Sequence, residues 1–547
     1  DSLVDQRLSP RERAHAHGTL AELLGPADDV VSWARHLHRS GRTDEAEAGL
    51  VAWAGEAEPG RACQLYATLH EIGRLDDPRR RKAWARALAA TGRWGEAGQL
   101  VLDGAADPGA SVDGDLDAAE WLLAGGHIDE GLELSVAALA GHGVSLPRTL
   151  AARVATAAST RWRLRRAPPV LQQVGEVAAD ADGGELLAAF WALGLRVAAT
   201  DLLQGAPLLL RQLDLAASRG DVSAYARGLA VEAVLRSVLG ADGATESMAR
   251  ATELAAGGPA RGGVLLATAM ARVLEGAFRE ALDACEEAEP HLRMSGGAGG
   301  QDAVFLQGLR QVACYWTGQL DELRRTYLRA ADLHRLRGDR FARVHLTTQF
   351  GWLSALMDDD VARAQALLGE AAAVWTPREV VTQQLMLAVA GVNALLYAGR
   401  LDEASQRLAD DGRALRPSGL LLVPVHKLRW NGLCARVALA RAEAGEPVSR
   451  VLRGRLRPAA WRGAPWAEGL RLLMRGRLQV VTSQEEAVDT LREAADVLGA
   501  GGMEALRQGA RWRWACLRGD AGEARAAVDF FARQGCARPE VWARFIG

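Results

Sequence analysis

The side chains with the most chemical potential in this chain are two His-x-His pairs, His15/His17 and His36/His38. Imidazoles are common metal ligands, but on a helix positions i and i+2 point about 200° apart, so neither pair can share an ion there. They are expected to be exposed helical histidines. Nucleotide chemistry founders on lysine. Of 65 lysines and arginines only Lys82 (in RRRKAWAR) and Lys427 (in VHKLRW) are lysines, and neither stands in a GxxxxGK[ST] loop or beside a kinase glycine-rich strand. The glycine-rich SGGAGG at 295–300 follows a helical pattern rather than a strand and reads as a linker. There is no GxSxG elbow and no HExxH. The six cysteines stand no closer than Cys516 and Cys536, which excludes CxxC metal and redox motifs. No catalytic residue, no cofactor and no metal site is expected, and the chain is not expected to be an enzyme.

Two arginine clusters remain, RWRLRR at 161–166 and RGRLRPAAWR at 453–462. Interleaved Trp162 and Trp461 would suit nucleic acid, but the net charge is −3 and cations are favoured at helix ends in any case. Neither nucleic acid nor membrane is an expected partner. The second cluster supplies the expected docking residues for a protein partner, Arg457, Trp461, Arg462 and Trp466, because Trp and Arg dominate interface hot spots.

The elements that must position these residues are helices. Ala, Leu, Arg and Glu dominate, aromatics are 5%, and strand-favouring runs are scarce. One phrase recurs: Gly, three variable residues, then Glu-Ala or a close relative. It starts at Gly41, Gly92, Gly126, Gly276, Gly318, Gly399 and Gly519, with a degenerate copy at Asp359–Ala364. Such a phrase encodes a helix-turn-helix joint. Gly takes the left-handed conformation past a helix end, Asp44, Asp129, Asp321 and Asp402 are expected to cap the next helix, and Ala fits where two helices cross. The step from Gly92 to Gly126 is 34 residues, the tetratricopeptide period, and the steps from Gly276 through Gly318 and Asp359 to Gly399 are 42, 41 and 40. A second joint, Gly-Asp, stands at Gly220 and Gly338. The expected fold is all-α, with tetratricopeptide-like helix-turn-helix repeats stacked into a curved superhelix, an α-solenoid that offers a concave face.

Proline and glycine mark the breaks at 166–184, 257–263, 293–302 and 416–424. The expected layout is a helical junction segment over 1–57, a first repeat array over 58–166, a linker over 167–184, a second array over 185–420 and C-terminal repeats or a cap over 421–547. The longest apolar run, Leu385 to Gly399, is 15 residues and holds Asn393, too short for the roughly 20 that a membrane span needs. With no secretory leader pattern at DSLVDQRLSP and dispersed cysteines, a cytoplasmic protein is expected. The absent initiator methionine is expected of a piece of a longer polypeptide.

The segment AAEWLLAGGHIDEGLELSVAALAGHGVSLPRT (Ala118–Thr149) resembles the C-terminal helical region of large bacterial, myxobacterial-type serine/threonine kinase–STAND ATPase signalling proteins. LVDQRLSPRERAHAHGTLAELL resembles the junction after their ATPase and winged-helix parts, and GQLDELRRTYLRAADLHRLRGDRFA fits the same layout. The resemblance extends over about residues 1–430. It implies kinase and ATPase domains upstream, with this array as a sensor that restrains the nucleotide switch until a small-molecule or peptide inducer, or a protein partner, binds. The alternative is a stand-alone oligomerisation or adaptor module gripping peptides or proteins in its concave face.

Overall fold

The computed structural model describes residues 8–105, 116–140, 147, 149–171, 181–239, 241–296, 301–375, 380–461 and 465–547. Among them every regular element is a helix. By its contacts the chain divides into two compact units. One comprises residues 1–134 with 336–339, the other 135–335 with 340–547.

The joints show why the chain folds as paired helices. All seven phrase glycines have positive φ, from 70° at Gly519 to 89° at Gly41. At each joint the residue after the glycine donates its N–H to a carbonyl five residues back. Arg42 to Leu37 (2.9 Å), Arg93 to Leu88 (2.9 Å) and Arg400 to Leu395 (3.0 Å) are examples. This bond closes the first helix and simultaneously makes that same residue the N-cap of the second. The next helix therefore begins sooner than expected, and the capping role assigned to Asp44, Asp129, Asp321 and Asp402 is corrected: all four lie inside the first turn. The residue that follows the glycine does the work instead. Where it is Asp, its carboxylate caps the helix: Asp221 accepts from Ala224 N (2.8 Å), Asp360 from Arg363 N (2.8 Å) and Asp520 from Glu523 N (3.0 Å). Where it is Arg, it reaches the Glu three residues on. Arg42 pairs with Glu45 (2.9 and 2.8 Å), Arg93 with Glu96 (2.7 and 2.5 Å) and Arg400 with Glu403 (2.6 Å). These pairs are exposed, where solvent screening leaves an ion pair little net contribution.

Asp359 takes the glycine's place in the degenerate copy, and with φ at 59° it is the one non-glycine of positive φ among the described residues. Two bonds hold it there. Tyr397 Oη donates to its Oδ1 (3.0 Å) and Arg538 Nη1 to its Oδ2 (3.4 Å). Five of the alanines behind the joints are sealed: Ala46, Ala97, Ala281, Ala364 and Ala404 are all 0% exposed, as expected where two helices cross at a shared turn, whereas Ala524 behind Gly519 is half-buried.

In the first unit successive helices pack in order from Pro10–Arg39 through Leu116–Gly125, over Leu37, Leu50, Leu65, Leu69 and Leu88. Pro59 and Pro78 each open a helix, where a missing N–H costs nothing. In the second unit neighbouring helices again stack in sequence, and some also meet far along the chain. Gln301–Thr317 packs on Glu504–Arg518, Val222–Leu239 on Pro424–Glu443, and Thr382–Tyr397 on both Ala181–Thr200 and Pro539–Ile546. Within this unit the stack thus curves back on itself. The loop expected over 293–302 is narrower, since helix Phe278–Gly296 continues past Arg293 and the next starts at Gln301; residues 297–300 lie outside the described ones. So does 172–180, half of the expected linker.

Candidate functional site

The curvature of the second unit encloses a partly open cavity of about 170 Å³. The longest strip of its wall comes from helix Pro424–Glu443. Val425, Leu428, Arg429, Gly432, Leu433 and Arg436 all face it, the i, i+3, i+4, i+7 spacing of one helical face. The facing wall is aromatic. Phe278 and Trp316 stack at 5.4 Å between centroids, Trp466 meets Trp316 edge-on at 5.5 Å, and Tyr315 stacks on Phe350 at 4.2 Å.

Phe350 reaches the cavity through a backbone irregularity. Residues Thr347–Gly351 form a π-helical turn, closed by Trp352 N–H donating to Thr347 O (3.2 Å). Gly351 permits it, because a Cβ there would stand 2.2 Å from the Tyr327 ring. The wider turn carries Thr348, Gln349 and Phe350 to the cavity wall. Single π-turns of this kind cluster at functional sites.

Two arginines on this wall have no carboxylate partner among the described residues. Arg429 donates to Met386 Sδ (2.7 Å) and to Gln349 Oε1 (3.4 Å). Arg436 donates to Phe545 O (2.9 Å), sits 4.8 Å from the centre of that ring, and stands within electrostatic reach of Tyr315. Burial pushes both guanidinium pKa values down, Arg429 to about 10. A third arginine, Arg477, is already engaged: it donates to Glu443 at 2.9 and 3.0 Å, and Arg513 approaches the same carboxylate at 3.1 Å.

No family model matches the chain, and no curated protein is significantly similar to it. Among solved structures, the crystal structure of yeast Tom70 is similar over 96% of this chain and 97% of that chain, at 11% sequence identity and a TM-score of 0.31. A likeness this distant carries no argument about function.

Of the four expected docking residues, Arg457 is exposed and Arg462 lies outside the described residues. Trp461 and Trp466 come together at the cavity wall instead. Trp461 is 5% exposed and donates Nε1–H to Arg455 O (2.9 Å). Trp466 donates to Leu274 O (2.9 Å) and lies over the Gly276 joint, where a Cβ would be 2.2 Å from its own Cβ. Gly276 therefore serves both the turn and the wall. Substituting Gly276→Ala is expected to cost about 1–2 kcal/mol of left-handed strain plus about 1–3 for displacing Trp466. Gly399→Ala, with nothing within 4 Å of its Cβ, should cost only the strain. Urea titration of the two variants checks the difference; equal losses would mean that Trp466 does not rest on the turn.

The histidine pairs are brought together differently from expectation. One member of each meets across the kinked first helix, with His17 Nδ1 2.8 Å from His36 Nδ1 and the rings stacked at 5.0 Å. His17 is buried, while His15 and His38 are exposed as expected. Among the described residues no group of three or more His, Cys, Asp or Glu is placed to hold a metal ion, and no helix is long and apolar enough to cross a membrane. In the RWRLRR cluster, Arg163 bonds Asp214 (2.6 Å) and the Arg166 guanidinium covers the Trp162 ring at 3.7 Å.

Arg429, Arg436, Tyr315 and Gln349 escaped the sequence reading. The signal for the arginines was available: two cations seven residues apart on the apolar stripe of one helix.

Proposed function

We propose that this chain is the sensor and regulatory arm of a signalling protein, a tetratricopeptide-like scaffold whose second unit binds a small inducer and passes its occupancy to a nucleotide switch. The observation that carries the reading is the cavity. Here several helices from separate parts of one unit leave an aromatic, partly polar space between them. Ligand binding across such a seam would bias the curvature of the stack, and a ligand shifts an equilibrium by its differential affinity for two states. The resemblance to kinase–STAND ATPase proteins supplies the switch to which the arm would couple, and protein–protein contact is the means. The test is to add this chain in trans to a nucleotide-binding segment of the kind the resemblance implies, taken from the same gene. Binding with suppression of nucleotide hydrolysis is expected. Absence of any association, with the segment folded and nucleotide-loaded, overturns the proposal.

A further inference from the structure

We infer that the cavity of the second unit takes a small organic anion, an aromatic monocarboxylate of about one ring, with its carboxylate held between Arg429 and Arg436; this rests on the cavity being a ligand site. Volume limits the body of the ligand. A dry cavity of about 150 Å³ accepts benzene, and this one measures about 170 Å³. Chemistry selects an aromatic body, since Trp316, Trp466, Tyr315 and Phe350 offer faces and edges that pair with a ring.

Charge selects an acid. Arg153, Arg236, Arg471 and Arg477 also lie in the interior of this unit, and each faces a carboxylate. Arg429 and Arg436 do not. Their present partners are a thioether, an amide oxygen, a backbone carbonyl and a ring face. A guanidinium carries five N–H donors, so both have donors to spare. An interior cation without a counter-charge is costly, and among the described residues no acidic side chain lines the cavity to compensate. The Glu443 carboxylate nearby is already shared by Arg477 and Arg513.

The two arginines reach the cavity from one face of the same helix. Their Cα atoms are separated by about 10 Å along it, and both stand within electrostatic reach of Tyr315 on the same cavity wall. The carboxylate therefore belongs beside Tyr315, with the ring against the Trp316–Trp466 wall. Both arginines keep part of their surface accessible, so a ligand can reach them without unfolding the helix.

Tryptophan fluorescence of the full chain reads this directly, because Trp316, Trp352, Trp461 and Trp466 line the cavity. The probes are benzoate and phenylacetate against their neutral amides, benzamide and phenylacetamide, with acetate as an anion lacking the ring. The acids are expected to bind with roughly millimolar or tighter dissociation constants, and about ten- to a hundredfold more tightly than the amides, the increment of a charge-assisted hydrogen bond. Arg429→Met and Arg436→Met should each lower the ratio of acid to amide affinity, because each removes one of the two cations. The acid–amide comparison on the unaltered chain needs no variant to fold. Acids and amides of equal affinity would overturn the anion inference and leave the cavity as a neutral ligand site. Failure of every ring-bearing probe to alter the fluorescence would overturn the cavity as a ligand site altogether, and acetate binding as well as benzoate would remove the ring from the specification.

Discussion

Replacing Arg236 with methionine lowers the stability of the second unit by about 3–5 kcal/mol, the usual cost of leaving a buried charge without its partner. Arg236 is 4% exposed and serves several acceptors at once. Its guanidinium donates to the carbonyls of Leu164, of Asp242 (2.7 Å) and of Arg166 (2.7 Å), and to Glu232 Oε1 (3.0 Å). It thereby fastens the end of helix Leu150–Arg163 to helix Val222–Leu239 and to the turn after it. Methionine fills much of the volume but donates nothing, so three carbonyls and a carboxylate that is 3% exposed lose their donor. The double variant Arg236→Met, Glu232→Met should recover part of the loss, because no charge is then stranded, but not all of it, because the carbonyls stay unpaired. Urea titration followed by circular dichroism measures both. A loss below about 1 kcal/mol would show that water replaces the guanidinium, which a site this enclosed should not allow.

Acidification below neutrality is expected to destabilise the second unit through His345 and His426. Burial lowers the pKa of each to about 4, and the charge of Arg429 adds to the effect at both. Between the unfolded value near 6.5 and the folded value near 4, the unfolded chain binds a proton that the folded chain refuses. Stability therefore falls as pH drops through that window, by about 1.4 kcal/mol per pH unit for each histidine, and levels off below it. Burial raises the carboxyls of Asp201, Glu232 and Asp302, and these work in the opposite sense, because their folded forms take up protons first. A difference measurement separates the two. His345 stacks parallel on Phe341, with ring centroids 5.6 Å apart, so His345→Phe keeps the ring and removes the proton site. Between pH 6.5 and 4 the variant should lose stability more gradually than the unaltered chain by about 1.4 kcal/mol per unit. Parallel curves would mean that His345 is protonated in the folded protein. Glu443 adds a later stage. Burial opposes its ionisation, but Arg477 and Arg513 together outweigh burial and hold its carboxyl below the usual range. The stability it contributes is complete above the ordinary carboxylate pKa and is lost as pH falls through the depressed one.

Arg429 links this acid response to the cavity. It stands within electrostatic reach of His345, His426 and Tyr315, so a change at the cavity wall is felt by groups on three helices. Arg429→Met, introduced to test anion binding, should also raise both histidine pKa values.

What the sequence determined by itself is local. The all-helical fold and its joints are decided over about seven residues, because a left-handed glycine, the bond that closes one helix and the first turn of the next involve only near neighbours. That is why Gly41, Gly92, Gly126, Gly276, Gly318, Gly399 and Gly519 could be read directly, and why even Asp359 could be placed as a degenerate copy. The same locality explains the error over Asp44, Asp129, Asp321 and Asp402, since a helix start displaced within one turn leaves the composition of the phrase unchanged. The site belongs to the tertiary structure. Trp461 and Trp466 stand out as interface residues in sequence, but the curvature of the second unit brings them against Gly276 and Gly432, about 190 and 29 residues away along the chain. Arg429 and Arg436 lie on a helix face that only the packing of distant helices turns into a cavity wall. A repeat fixes each step of the stack through short-range bonds, whereas the angle accumulated over many steps depends on every interface at once. That accumulated angle decides which side chains meet.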